Sequence, residues 1–188
     1  MSPTSPITEG ELAQITTGTW AIDPAHSAVT FSVRHLMSRV RGHFKDVDGR
    51  IVVGPTLASC SVAASIATES VDTGTPMRDD DLRSARFFDS TRFPAMAFAS
   101  TEITVADSRI TLVGDLTIRD VTRAVTIDVE FLGLDETGLQ GEPRIGFTGR
   151  TTVRRSDFNV GESSVEGNKV VVGDAVAVEL DVEAFLAQ

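Results

Sequence analysis

An all-β domain of about eight short strands, a sandwich or a barrel, is the fold this sequence predicts, on three observations. Apolar and polar residues alternate with a period of two through most of the chain. Turn-forming clusters (DVDG, GPT, VADS, LDETG, EGN) separate these runs. No helix-spaced segments alternate with the runs, which argues against a parallel α/β sheet.

Residues 1–17 open Pro-, Ser- and Thr-rich and become weakly helical in EGELAQI; they are expected to be an extension to a domain spanning 18–188. In AVTFSVRH, Val29, Phe31, Val33 and His35 share one face, and Ala28, Thr30, Ser32 and Arg34 the other. The alternation recurs in GRIVVG, SCSVAASIAT, AMAFASTEITV, SRITLVGDLTI, AVTIDVEFLG, RIGFTGRTTVRR and DAVAVELDVEAF. GDLTIRDVTRAVTIDV predicts a hairpin with a tight turn around Asp120–Thr122.

The exception is RDDDLRSARFFDSTRFPAMAFAS, where dense opposite charge meets a run of Phe and Ala. A short helix over about 79–89 would place Asp79, Asp80 and Asp81 in its first turn, where negative charge suits the helix dipole. Leu82, Ala85 and Phe88 would form an apolar stripe, and Asp79 could pair with Arg83. Pro94 would close the segment before the next strand. The four arginines and four aspartates either order this helix on the surface, or frame a pocket mouth where an arginine meets a head group.

Eight antiparallel strands close into a barrel either packed with side chains or wide enough for one slim ligand. If the small residues of SCSVAASIA and the alanines of FPAMAFAS face inward, the axis is left open. If they face outward, Val62, Ile66, Met96 and Phe98 fill the middle. Periodicity leaves both arrangements open.

Composition removes several functions. The chain has 188 residues, 41% of them hydrophobic, enough for one domain with a sizeable core. A net charge of −10 argues against nucleic acid, and against docking on anionic lipid through a broad basic patch. The single Cys60 makes no internal disulfide. MSPTSPITEGELAQI has neither a basic nor an apolar leader region, so a cytoplasmic location is expected, and no run is long enough to be an integral membrane segment. G-x-S-x-G, Walker A and G-x-G-x-x-G motifs are missing, so neither a catalytic signature nor a cofactor is expected. The three histidines lack metal-ligand spacing, so no metal is expected either. His26 lies in a turn and suits local hydrogen bonding; His35 ends an apolar stripe, as a satisfied histidine or a head-group contact.

GTWAIDPAHSAVTFSVRHL, VRGHFKDVDGRI, RDDDLRSARFFDSTRFPAMAF, GDLTIRDVTRAV and RRSDFNVG, in this order and spacing, resemble the YceI-like proteins from about Gly18 to Phe185. The resemblance implies a lipocalin-like antiparallel eight-stranded barrel with a helical insertion, commonly a homodimer, whose apolar pore binds a polyisoprenoid or similar long-chain lipid. No catalytic activity is implied. Val29, Phe31, Val33, Phe98, Leu116 and Ile118 are then candidates for the pore lining, and His35, Arg41, Arg78, Asp79 and Arg83 for a polar mouth. Two positions depart from the family pattern: Asp81 stands where His is usual, which bears on head-group preference, and Asn159 stands near a usual Gly. Two other functions compete: an enzyme using His35 on a quinone or prenyl head group, and a filled, stress-responsive dimer that binds nothing.

Overall fold

The structure is a computed structural model that describes residues 14–106, 109–138, 141–161, 165–166 and 169–187. Its strands are β1 (Gly18–Ile22), β2 (Ala28–His35), β3 (Ser38–Phe44), β4 (Val47–Val53), β5 (Ser61–Ala67), β6 (Val71–Asp72) and β7 (Ala95–Ala106). They continue as β8 (Arg109–Ile118), β9 (Val121–Asp135), β10 (Arg144–Arg154), β11 (Val165–Glu166), β12 (Lys169–Val170) and β13 (Val172–Leu186). One α-helix, α1 (Pro76–Arg83), lies between β6 and β7.

Eight strands form a closed antiparallel ring in the order β1-β4-β5-β7-β8-β9-β10-β13, and β13 returns to β1. Closure leaves no unpaired edge in the ring. The edge of β13 that faces away from β10 serves two partners. Residues 184–186 pair with β1, and Val172–Asp181 pair with β2. The β2–β3 hairpin, with the short β6 beside it, therefore prolongs the wall at one end of the ring.

The alternation puts one set of side chains inside each strand: Val62, Ala64 and Ile66 on β5, Leu112, Leu116 and Ile118 on β8, Val125, Ile127 and Val129 on β9. On β7 the inner set is Met96 and Phe98, and then Ile103 after a bulge between Ser100 and Glu102 that changes the phase. The large apolar residues thus face the axis, while Ala95, Ala97 and Ala99 are exposed on the outer surface. Small inward side chains are not what keeps the axis open.

Apolar clusters mark both ends. At one end Trp20, Ile110, Phe131, Ile145 and Ala184 pack together, joined by Ile15 from the N-terminal stretch. Trp20 Nε1 donates to Thr16 O, which ties that stretch to the ring. At the other end Phe44, Val47, Val71 and Phe158 pack with Phe31, Leu82, Phe87 and Phe88.

The helix starts and ends earlier than expected. Thr75 stands at its N-cap in extended conformation and Pro76 opens its first turn, where a proline costs no hydrogen bond. Ser84, also extended, ends it, and turns carry the chain to Pro94. Asp79 does not meet Arg83. It is buried and accepts from Thr73 N (2.9 Å) and Thr73 Oγ1 (2.5 Å), whereas Arg83 pairs with Asp80 (3.2 Å) and Glu69 (3.7 Å). The β8–β9 turn is Arg119–Asp120, one residue ahead of its expected place, because Val121 pairs with Ile118 in the ladder. Arg119 carries the positive φ (57°) this tight turn requires. Asn159 adopts a left-handed conformation (φ 54°, ψ 35°), which Asn tolerates better than most residues.

Candidate functional site

The inner faces of the strands enclose an elongated cavity of about 630 Å³, a size suited to holding one small-molecule guest. It extends from Val33, Val172 and Arg155, near the β2–β3 hairpin, to Gly54, Pro55, Thr56 and Cys60 in the β4–β5 connection. Inner residues of β13 line it from Val172 to Val182, which at strand rise and barrel tilt corresponds to roughly 25 Å along the axis. The wall is almost wholly aliphatic and aromatic.

Val29, Phe31, Val33, Phe98, Leu116 and Ile118 all lie on this wall. Phe98 presses its ring onto the backbone of Gly114 on the neighbouring strand; a methyl group there would sit 2.4 Å from Phe98 Cζ. Phe31, Phe44 and Phe88 form a chain of tilted and edge-on contacts at 5.7 and 5.5 Å. Phe88, from the segment after α1, closes this chain. The charged stretch and the apolar stretch therefore serve one purpose: Leu82, Phe87 and Phe88 enter the barrel end, while the acids and arginines stay outside.

None of the five candidate mouth residues lies on the wall. Arg78 donates to Thr73 Oγ1 (2.7 Å), Thr73 O (3.0 Å) and Thr75 Oγ1 (3.0 Å). Arg83 donates to the carbonyls of Glu69 (2.8 Å) and Val71 (2.9 Å), so these two arginines and Asp79 hold α1 against β6. His35 is half-buried opposite Val172 and Ser38, and Arg41 is exposed on the outer face of β3. Asp81 pairs outside with Arg86 (3.1 Å).

Among the described residues, the charged side chain on the wall is Arg155. Its Nε donates to Gly173 O (2.9 Å), Nη1 to Val160 O and Gly161 O (both 3.1 Å), and Nη2 to Val172 O (3.2 Å). The guanidinium thus joins the chain leaving the 3₁₀ turn at Arg155–Phe158 to the chain entering β13. The sequence reading missed it. The signal was present, because Thr151, Val153 and Arg155 continue one period-two face.

A second polar group lies at the Trp20 end. Asp23 Oδ2 accepts from Arg144 Nη1 (2.8 Å) and lies 2.8 Å from His26 Nδ1. Arg144 also reaches Glu183 (2.5 Å) and Glu142 (2.7 Å). The bonds from Arg144 first, and from His26 second, hold the Asp23 carboxyl far below its ordinary value. Asp23, His26 and Glu183 lie close enough to ligate a cation, yet the Arg144 guanidinium already supplies the positive charge among them. That group reads as an ion-pair network, not a metal centre.

The family model of the YceI-like domain matches residues 20–184. The chain belongs to the YceI-like family. A UPF0312 protein of Staphylococcus epidermidis is 34% identical over 164 residues, covering 86% of this chain and 94% of that protein. Protein YceI of Shigella flexneri is 35% identical over 137 residues, covering 72% and 71%. Among solved structures, Burkholderia cenocepacia BcnA superposes with a TM-score of 0.74 at 26% identity, covering 86% of this chain and 98% of that one. A polyisoprenoid binding domain from Saccharophagus degradans superposes with a TM-score of 0.67 at 15% identity, a likeness of fold that covers 89% and 98%. The YceI-like barrel is thus the architecture of this chain from end to end of its ring. Among its described residues no helix is long and apolar enough to cross a membrane.

Proposed function

We propose that this YceI-like protein binds one long apolar chain of the polyisoprenoid type inside its barrel, and so stores or carries it. The observation that supports this most is the cavity: about 630 Å³ in extent and lined almost wholly by hydrocarbon. Water gains little from such a wall, and each buried CH₂ group of a guest contributes roughly 0.8 kcal/mol, as an upper estimate. The fold neighbour from Saccharophagus degradans, named for polyisoprenoid binding, points the same way. Val29, Phe31, Val33, Phe98, Leu116 and Ile118 would contact the chain.

The wall also bears on the head group. Arg155 spends its guanidinium hydrogens on backbone carbonyls, and Arg78 and Arg83 are engaged outside. A neutral head, as in a quinone or prenyl alcohol, fits this interior better than a phosphate, which would demand a charged partner. An enzyme working through His35 would need its head group outside the cavity, since His35 is not on the wall.

The test is organic extraction of protein purified without detergent, followed by lipid mass spectrometry, together with the Ala64→Phe variant. Ala64 lines the cavity beside Phe98, so the larger ring would block the axis without adding charge. A long-chain isoprenoid is expected from the parent protein, with at least a tenfold reduction in a folded Ala64→Phe. No long-chain species from the parent protein, or undiminished recovery from the variant, would refute the reading.

A further inference from the structure

The charge of this chain is distributed unevenly. Residues 24–45 contain Arg34, Arg39, Arg41 and Lys45 and all three histidines, with no Asp or Glu, in a protein of net charge −10. These residues include the whole β2–β3 hairpin. Arg34 lies directly opposite Arg39 in the ladder, with Arg41 opposite Ser32 one pair further along the same outer face. Like charges set opposite each other on a sheet are unfavourable unless something neutralises them. Lys45 has Asp72 at 2.5 Å, but among the described residues no carboxylate pairs with Arg34, Arg39 or Arg41. On the adjoining strand, Glu179 pairs with Arg150 and Asp174 with Arg154.

The hairpin's tip is apolar. Its two turn residues are Leu36, 43% exposed, and Met37, fully exposed. Leu36 adopts φ 50°, a left-handed conformation that costs a branched residue of this kind energy and that Gly or Asn would adopt freely. The turn is braced in that shape: Leu36 N donates to Val171 O (2.9 Å), and Arg34 Nε donates to Leu36 O (3.1 Å). Strained turns that hold large apolar side chains in water call for a partner. Val33 and Val172, just behind the tip, are already cavity wall.

We infer that the β2–β3 hairpin is a membrane-docking device, which inserts Leu36 and Met37 into an anionic phospholipid surface while Arg34, Arg39 and Arg41 meet the headgroup phosphates. The chemistry matches on both counts. Apolar tips with arginines just behind them lie in the headgroup–acyl boundary, and arginines pair with phosphate bidentately. Docked in this way, the end of the cavity at Val33 and Val172 faces the lipid. The inference stands on the hairpin alone and is independent of what the cavity holds.

The experiment is co-sedimentation of the full chain with vesicles of phosphatidylcholine alone and of phosphatidylcholine with phosphatidylglycerol, at low and at physiological salt. Binding to the anionic vesicles is expected, weakening as salt rises, with little binding to the neutral ones. Each arginine removed should weaken it about fivefold, so Arg39→Gln with Arg41→Gln should give a loss of roughly 25-fold. Met37→Asp should also release the protein, and Arg123→Gln, exposed on β9 and outside the hairpin, should not. Failure of the parent protein to bind anionic vesicles would overturn the inference, as it would if an acidic protein surface were the real partner. So would binding that survives both hairpin variants, or that is equal on neutral vesicles.

Discussion

Arg144 and Asp23 meet at 2.8 Å across the seam where the ring closes, joining the start of β10 to the residue that follows β1. The pair is mostly shielded from solvent, and Glu142 and Glu183 complete the coordination of the guanidinium. Ser27 Oγ donates to Glu183 O nearby (3.1 Å). The closure of the barrel is therefore fixed by charge as well as by the β1–β13 ladder.

Acid should loosen that seam. The folded Asp23 carboxyl titrates below its unfolded value of about 4, so its contribution is complete above roughly pH 5 and declines as the pH falls through that value and below. Asp23→Asn is expected to lower Tm by roughly 5 °C at pH 7, with the gap to the parent protein narrowing by pH 3. Thermal melts followed by circular dichroism at both pH values check this. A gap that stays constant would show that the carboxylate's charge is not what matters.

Gly114 should tolerate no side chain. A Cβ there would lie 2.6 Å from the carbonyl oxygen of Ala99, which the ladder holds in place, and 2.4 Å from the Phe98 ring. Gly114→Ala is expected to destabilise by about 2 kcal/mol through overpacking, and to push the Phe98 ring toward the axis. Urea denaturation gives the first quantity. Reduced uptake of an apolar fluorescent probe reports the second.

Arg155→Lys should loosen the strap that Arg155 holds. A single ammonium cannot replace a fork that serves the carbonyls of Val160, Gly161, Val172 and Gly173, and the loss should cost about 2 kcal/mol. Hydrogen exchange is the direct measurement. Faster exchange at the Val160 amide, which donates to Arg155 O, is expected, with little change at the Trp20 end. Uniform protection across both ends would show that Arg155 is not the clasp.

The wall of the barrel was legible in the sequence because alternation is a local property of a strand. Period two placed Val29, Phe31 and Val33 together on one face of β2, and the family resemblance made them, with Phe98, Leu116 and Ile118, candidates for the inner wall. Which of the two faces of β5 and β7 would be inner was not legible, since that depends on how distant strands close. The start of α1 was visible in Thr75–Pro76, but the acids at 79–81 drew the boundary three residues late. The mouth candidates stand off the wall for a different reason. Arg78, Arg83 and Asp79 find partners in Thr73, Glu69 and Val71, neighbours in the fold that supply backbone carbonyls and a hydroxyl no side-chain pattern announces. Composition concealed the hairpin as well, because an acidic total hides a local run without acids.

The hollow barrel also bears on how the molecule answers compression. Unfolding eliminates internal voids, so squeezing favours the unfolded chain in proportion to the space it removes. A barrel whose own side chains leave about 630 Å³ along the axis should therefore unfold at lower hydrostatic pressure without a guest in that space than with one. A molecule lodged along the axis would stiffen it.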